Sequence, residues 1–196
     1  GEETSYMAVL PENITSEDWV VYIGGFSQGK EAYLDEIQNL AQSGRKILFV
    51  NPLKGVGRKK HDMQTGVLED VPDTIILKAE AVKEVLKAVC AKNIDFIGHS
   101  QGAAVATVFS VMYPNVAKKI ILECPAGVSR DNMSGPKVAG RFIIDKITST
   151  INDNKKMLSE QGKRGGRSFV REFWKDPVFR LTQELPGSAE VDILPL

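Results

Sequence analysis

The sequence predicts an α/β fold, a mainly parallel sheet flanked by helices. Three observations carry the prediction. Short apolar runs recur at 19–23, 46–50, 93–97 and 119–123. Stretches with apolar residues at helical spacing separate them, and strand alternating with helix builds a parallel sheet covered on both faces. One run leads into Gly98-His99-Ser100-Gln101-Gly102, and a small-residue segment follows at once.

Composition sets the bounds. A chain of 196 residues with 42% hydrophobic and 26% charged residues is globular and can bury a sizeable core. Lys plus Arg equals Asp plus Glu at 25 each, so no charge excess points to nucleic acid or an acidic membrane surface. No apolar run approaches the ~20 residues of a membrane span. No basic-then-apolar leader opens the sequence, which sets the expectation of a cytoplasmic protein. Cys90 and Cys124 have no partner at metal-ligand spacing, and the fold puts them at opposite ends of the sheet. Two free thiols are expected, with Cys124 a small buried residue rather than a nucleophile. No metal or other cofactor is expected. The sequons at Asn13 and Asn132 are short patterns that carry little weight.

Taken in order, residues 1–18 are polar except for Tyr6 to Leu10, an edge strand or arm. Trp19-Val20-Val21-Tyr22-Ile23 reads as a strand buried on both faces, ending in a glycine-rich loop from Gly24 to Gly29. Tyr33, Leu34, Ile37, Leu40 and Ala41 mark a helix face, stopped at Ser43-Gly44. The second buried strand, Lys46 to Val50, ends at Asn51-Pro52. Residues 53–66 form a basic loop that contains His61. Ile75, Ala79, Val82, Leu86 and Val89 predict a helix over 73–91. Asn93 to Ile97 is the strand before the pentapeptide, and the helix after it stops near Tyr113-Pro114. Lys119 to Glu123 reads as another buried strand. From Pro125 to Pro136 the chain is turn-rich. Phe142, Ile143, Ile147 and Ile151 then fit one helix, and Phe169, Val170, Phe173 and Trp174 another, with a flexible basic hinge at 161–167 between them. The basic stretch 163–171 reads as a solvated connection open to proteases. A last short helix starts at Pro177.

Strand, Gly-x-Ser-x-Gly, helix is a context with a mechanism. The serine sits on a sharp turn, and the glycines two positions either side let strand and helix approach closely. The helix N-terminus aims free N–H groups at whatever the serine attacks. Ser100 is therefore the candidate nucleophile. The N–H of Gln101 is one candidate oxyanion donor. The glycine loop after the earlier strand supplies the second, Phe26 first and Ser27 next.

Residues 17–124 resemble the first half of an α/β-hydrolase. The resemblance rests on the Val-Val-Tyr-Ile-Gly-Gly-Phe strand and loop, the Ile-Gly-His-Ser-Gln-Gly-Ala turn, the strand that follows, and the switch to helices. It implies a core over 1–128, a helical cap inserted at 129–186, and a return segment at 187–196. It implies hydrolysis of an ester, thioester or related acyl bond in a small-molecule substrate, through an acyl-enzyme on Ser100. The family order is serine, acid, histidine. The sequence has two histidines, and neither follows Ser100. His61 is expected to be solvated, and His99 packed beside the turn without a catalytic role. The expectation is a partial chain that lacks the triad acid and histidine and has little turnover alone. Its unfinished sheet edge would meet the missing segment or another copy. Glu123 is a position some members use for the acid, but a plain strand-end carboxylate is favoured. The cap aromatics pack the cap and the core, and some are expected to line an acyl pocket.

Two other classes stay open. One is a non-catalytic binding protein that keeps the fold, with Ser100 a relic. The other is a nucleotide-binding protein. Gly24 to Lys30 matches G-x-x-x-x-G-K, but Glu31 stands where a magnesium-binding Ser or Thr belongs, and its charge would repel phosphates.

Overall fold

The computed structural model of the protein describes residues 4–52, 68, 71–126 and 160–175. The elements in chain order are β1 (Ser5–Val9), β2 (Ser16–Ile23), a 3-10 turn (Lys30–Ala32), α1 (Leu34–Ala41), β3 (Arg45–Asn51), α2 (Asp73–Ala88), β4 (Ile94–His99), α3 (Gln101–Met112), β5 (Ala117–Glu123) and α4 (Glu160–Lys175). The sheet order is β1-β3-β2-β4-β5. β2, β3, β4 and β5 run parallel, and β1 pairs antiparallel with β3 along one edge. The mainly parallel α/β sheet flanked by helices is the class the sequence predicts.

Alternation along the central strands divides the core in two. Val20 and Tyr22 of β2, with Ile47 and Phe49 of β3, face α1 through Tyr33, Ile37 and Ala41. Val21, Ile23, Leu48, Val50 and Phe96 face the opposite way, onto α2 and α3. A strand covered on both faces reads as a continuous apolar run, which is why β2, β3 and β4 carry no polar alternation. The chain leaves β2 for β3 on one side and later crosses to β4 on the other. The outgoing ends of β2 and β4 thus flank a topological switch point, where an open α/β sheet leaves a crevice for a ligand.

Several expectations are corrected. β5 is not buried: Ile121 is 54% exposed, and Ile120 and Leu122 are also exposed. Its apolar run resembles that of a central strand, but it is the last strand of the sheet among the described residues. Cys124, expected to be buried, is exposed; both cysteines are free. Residues 161–167 are no hinge, because they lie within α4. Nor is 163–171 a solvated connection: Arg164 bonds both carboxylate oxygens of Asp35 at 2.7 Å, and Arg171 pairs with Glu31 at 2.7 Å. On α4, Phe169 and Phe173 are half-buried while Trp174 is 69% exposed, so the four aromatic and apolar positions do not share one buried face. α2 ends three residues short of the expected 91. The loop with His61, the sequon at Asn132, the helix of Phe142 to Ile151, the rest of the proposed cap and the return segment lie outside the described residues. No described helix is long and apolar enough to cross a membrane.

Candidate active site at the outgoing ends of β2 and β4

Ser100 stands between β4 and α3 with φ +53° and ψ −116°. That is a strained backbone for a residue with a side chain, and such strain persists only where the surroundings impose it. Three features impose it. The Ser100 N–H donates to the Glu123 carbonyl at 2.9 Å, and the Ser100 carbonyl accepts from Ala103 and Ala126 at 3.1 Å each. A Cβ on Gly98 would sit 2.6 Å from Ala103 Cα. A Cβ on Gly102 would sit 2.2 Å from the Ile23 carbonyl oxygen. Both glycines are thus required by backbone approaching backbone. The second also locks α3 against the end of β2.

The glycine loop lies against this turn. A Cβ on Gly25 would come within 3.2 Å of Ser100 Cβ and 3.0 Å of His99 Nδ1. Phe26 and Ser27 are buried, and Ser27 adopts φ +51°. Ser27 Oγ is a buried hydroxyl with no hydrogen-bond partner among the described residues. The loop is fastened from two sides. The Gly25 N–H donates to the Tyr33 hydroxyl at 2.8 Å, and the Gly29 N–H donates to Ser168 Oγ of α4 at 2.8 Å. The Phe26 ring meets Phe169 at 6.3 Å between centroids, and Phe169 stacks on Phe173 at 5.8 Å.

Gln101 is the first residue of α3 and is 3% exposed. Lys78 of α2, itself 5% exposed, donates to Gln101 Oε1 at 2.6 Å. A lysine is almost never buried unless paired, and here the partner is the residue that follows Ser100. The sequence carried a signal for it. Lys78 stands three residues after Ile75 and four before Val82, on the apolar face of its own helix.

The expected site residues Ser100, Gln101 and Phe26 therefore gather around the outgoing ends of β2 and β4. His99 packs edge-on against Tyr33 at 5.6 Å, with Nδ1 2.9 Å from its hydroxyl, beside the turn as expected. Glu123 is an exposed carboxylate at the end of β5, as expected, and its Oε2 also accepts the Tyr22 hydroxyl at 2.8 Å. Burial, then that hydrogen bond, then the charges of Glu36 and Glu123 push the Tyr22 phenol far above its ordinary value. Burial also raises Tyr33, the Gly25 bond opposes it, and the charges of Glu36 and Glu123 add to the rise. Both phenols stay protonated at ordinary pH. The sequence expectations do not place Tyr33, Lys78 or Ser168 at the site. Tyr33 looked like one more member of an apolar helix face, and Ser168 lies in what looked like the approach to a second helix.

No family model matches the sequence. A curated relative, Ethanol acetyltransferase 1 of Cyberlindnera fabianii, is 23% identical over 157 residues, 78% of this chain and 44% of that protein. The chain thus spans less than half the length of that relative. Among solved structures, a probable hydrolytic enzyme of Pseudomonas aeruginosa superposes with TM-score 0.63 at 16% identity, over 95% of this chain and 60% of that one. A lipase-esterase related protein of Clostridium acetobutylicum gives 0.61 at 15% identity, over 97% and 72%. An alpha/beta hydrolase enzyme from a deep-sea metagenome library of the Medee basin gives 0.60 at 18% identity, over 97% and 70%. Sheet order, the turn at Ser100 and these superpositions agree: the chain has the α/β-hydrolase fold.

Proposed function

We propose that the protein is a serine hydrolase that cleaves an ester, thioester or related acyl bond through an acyl-enzyme on Ser100. The strained Ser100 backbone, wedged between β4 and α3 with the Gly25 loop in contact, is the observation that carries the reading. Ser100 Oγ attacks the acyl carbonyl and gives its proton to a base. The backbone N–H groups of Gln101 and Phe26 receive the negative charge of the tetrahedral intermediate. The leaving group departs with a proton, and water then releases the acid and frees the serine. The general base is assigned to no residue of this sequence; His99 turns its Nδ1 toward Tyr33. The names of the superposed proteins support a hydrolytic reading. If an alcohol replaced water at the second step, the same acyl-enzyme would perform acyl transfer, the activity in the name of the Cyberlindnera relative. Phe26, Phe169 and Phe173 form an aromatic strip beside the loop, which suits an apolar acyl group.

The nucleotide reading is disfavoured by the loop itself. A phosphate cradle needs its backbone N–H groups free, and those of Gly25 and Gly29 are donated to protein oxygens. Labelling of the full-length protein with a fluorophosphonate tests the proposal. Ser100 should carry the label, and Ser100→Ala should reduce both labelling and p-nitrophenyl acetate hydrolysis to background. An unlabelled wild type, or a Ser100→Ala variant labelled as before, would overturn it. Retained binding of an acyl ligand without labelling would favour the non-catalytic class.

A further inference from the structure

Tyr33 is the side chain through which the glycine loop and the serine turn meet. It lies on the short segment between the 3-10 turn and α1, with its ring packed against Tyr22, Phe49 and His99 at 5.0, 5.6 and 5.6 Å between centroids. Three groups surround its hydroxyl. The Gly25 N–H donates to it at 2.8 Å. It donates to Gln28 Oε1. His99 Nδ1 lies 2.9 Å away.

A phenol has one hydrogen to give and two lone pairs to receive with. The hydrogen goes to Gln28, and one lone pair takes the Gly25 N–H. What remains for His99 is the second lone pair, so His99 Nδ1 must carry a hydrogen. In the neutral imidazole that leaves Nε2 as the acceptor. We propose that Tyr33 is a positioning residue that sets the glycine loop against the Ser100 turn, using all three capacities of one hydroxyl and fixing His99 in its Nδ1–H form. The inference rests on the reading of Ser100 as nucleophile and deepens it. The Phe26 donor directly follows the loop residue Tyr33 holds, and Ser100 directly follows the histidine Tyr33 holds. An oxyanion donor displaced by about 1 Å loses much of its effect, so the phenol governs the reaction without touching the substrate.

The test uses the full-length protein with 15N-labelled histidine, the His99 signals being assigned by their loss in His99→Asn. At mildly alkaline pH the wild type should show a protonated Nδ1 and an unprotonated Nε2. Gln28→Leu removes the acceptor of the phenol hydrogen, which then turns to His99, and the imidazole proton should move from Nδ1 to Nε2. Tyr33→Phe should lower the rate constant of fluorophosphonate labelling at Ser100 by about tenfold or more, and kcat for p-nitrophenyl acetate with it, while KM stays within about twofold. A wild-type His99 with an unprotonated Nδ1, or a Tyr33→Phe variant that labels at the wild-type rate, would overturn the proposal. So would a Gln28→Leu variant with its tautomer unmoved. A wild type that never labels removes the nucleophile beneath the proposal. The tautomer, which needs no activity, then tells which of the two readings failed.

Discussion

Helices α3 and α4 both bear on the glycine loop of residues 24–29, and different forces hold them there. α3 meets it through absent side chains. Gly102 lets the helix backbone reach the Ile23 and Gly24 carbonyls, and behind it Ala103, Ala104, Val105, Ala106, Val108 and Phe109 are buried in the core. α4 meets the same loop and the segment after it through polar groups: Ser168 on the Gly29 N–H, Arg171 on Glu31 of the 3-10 turn, and, nearer the start of the helix, Arg164 on Asp35 of α1. Steric contact and apolar burial depend little on salt or acid, whereas ion pairs at a partly exposed surface depend on both. The difference teaches that the serine is set by a rigid frame. The loop opposite it is held by a helix whose grip the solvent can loosen.

The largest effect is expected where the contact is tightest. Alanine is the better helix former by about 1 kcal/mol, so propensity alone makes Gly102→Ala stabilising. The Cβ would lie 2.2 Å from a backbone oxygen that cannot move without breaking β2 from its neighbours. Overpacking of this kind costs about 3 kcal/mol or more. Urea unfolding should show a loss of that size, and a gain would mean that β2 and α3 are not in backbone contact.

A smaller and more local effect separates the two helices. Ser168 is buried, and Ser168→Ala leaves the Gly29 N–H without its acceptor, a cost of about 1–3 kcal/mol. Amide hydrogen exchange should quicken at Gly29 and along α4 and stay unchanged in α3. Equal loss of protection in both would break the distinction between them.

The same contrast governs what could be read from the sequence. The demands of the Ser100 turn are local: a glycine two residues either side, an apolar strand before it, and small residues after it all stand within twenty positions. β2, β3 and β4 were legible for a related reason, since burial on both faces leaves an unbroken apolar run. β5 shows the limit of that signal, because Ile120 to Leu122 has the same run without the burial. The second half of α4 is legible from the helical spacing of Phe169, Val170 and Phe173, but its first half is not, because Gly162, Gly165 and Gly166 lower helix propensity, while the groups that hold the helix, Glu31, Asp35 and Gly29, are 129 to 140 residues away in sequence. Tertiary contact at that distance overrides propensity and leaves no periodic trace. The spacing of Tyr33 shows where its ring packs and hides what its hydroxyl bonds, since periodicity reports which face a residue occupies and nothing of what its polar atom meets.

The smallest effect sharpens the comparison furthest. Burial alone would raise the Glu31 carboxyl. The hydrogen bond from Arg171, a backbone hydrogen bond at Glu31 and the charges of Arg171 and Lys30 outweigh it and hold the group below its ordinary 4.5. A carboxyl depressed in the folded state contributes stability that is fully present above the unfolded value. That contribution is lost as pH falls through the folded one. The attachment of α4 should therefore be constant at neutral pH and loosen below 4.5, with no change in α3 over the same range. Because the pair is partly exposed, its contribution is at most about 1 kcal/mol and shrinks further in high salt. Protection factors of the α4 amides, corrected for intrinsic exchange, follow the change. Glu31→Gln should weaken protection at neutral pH and flatten its acid dependence. If the variant keeps the same acid dependence, another carboxylate governs the helix, and Asp35 opposite Arg164 becomes the residue to replace next.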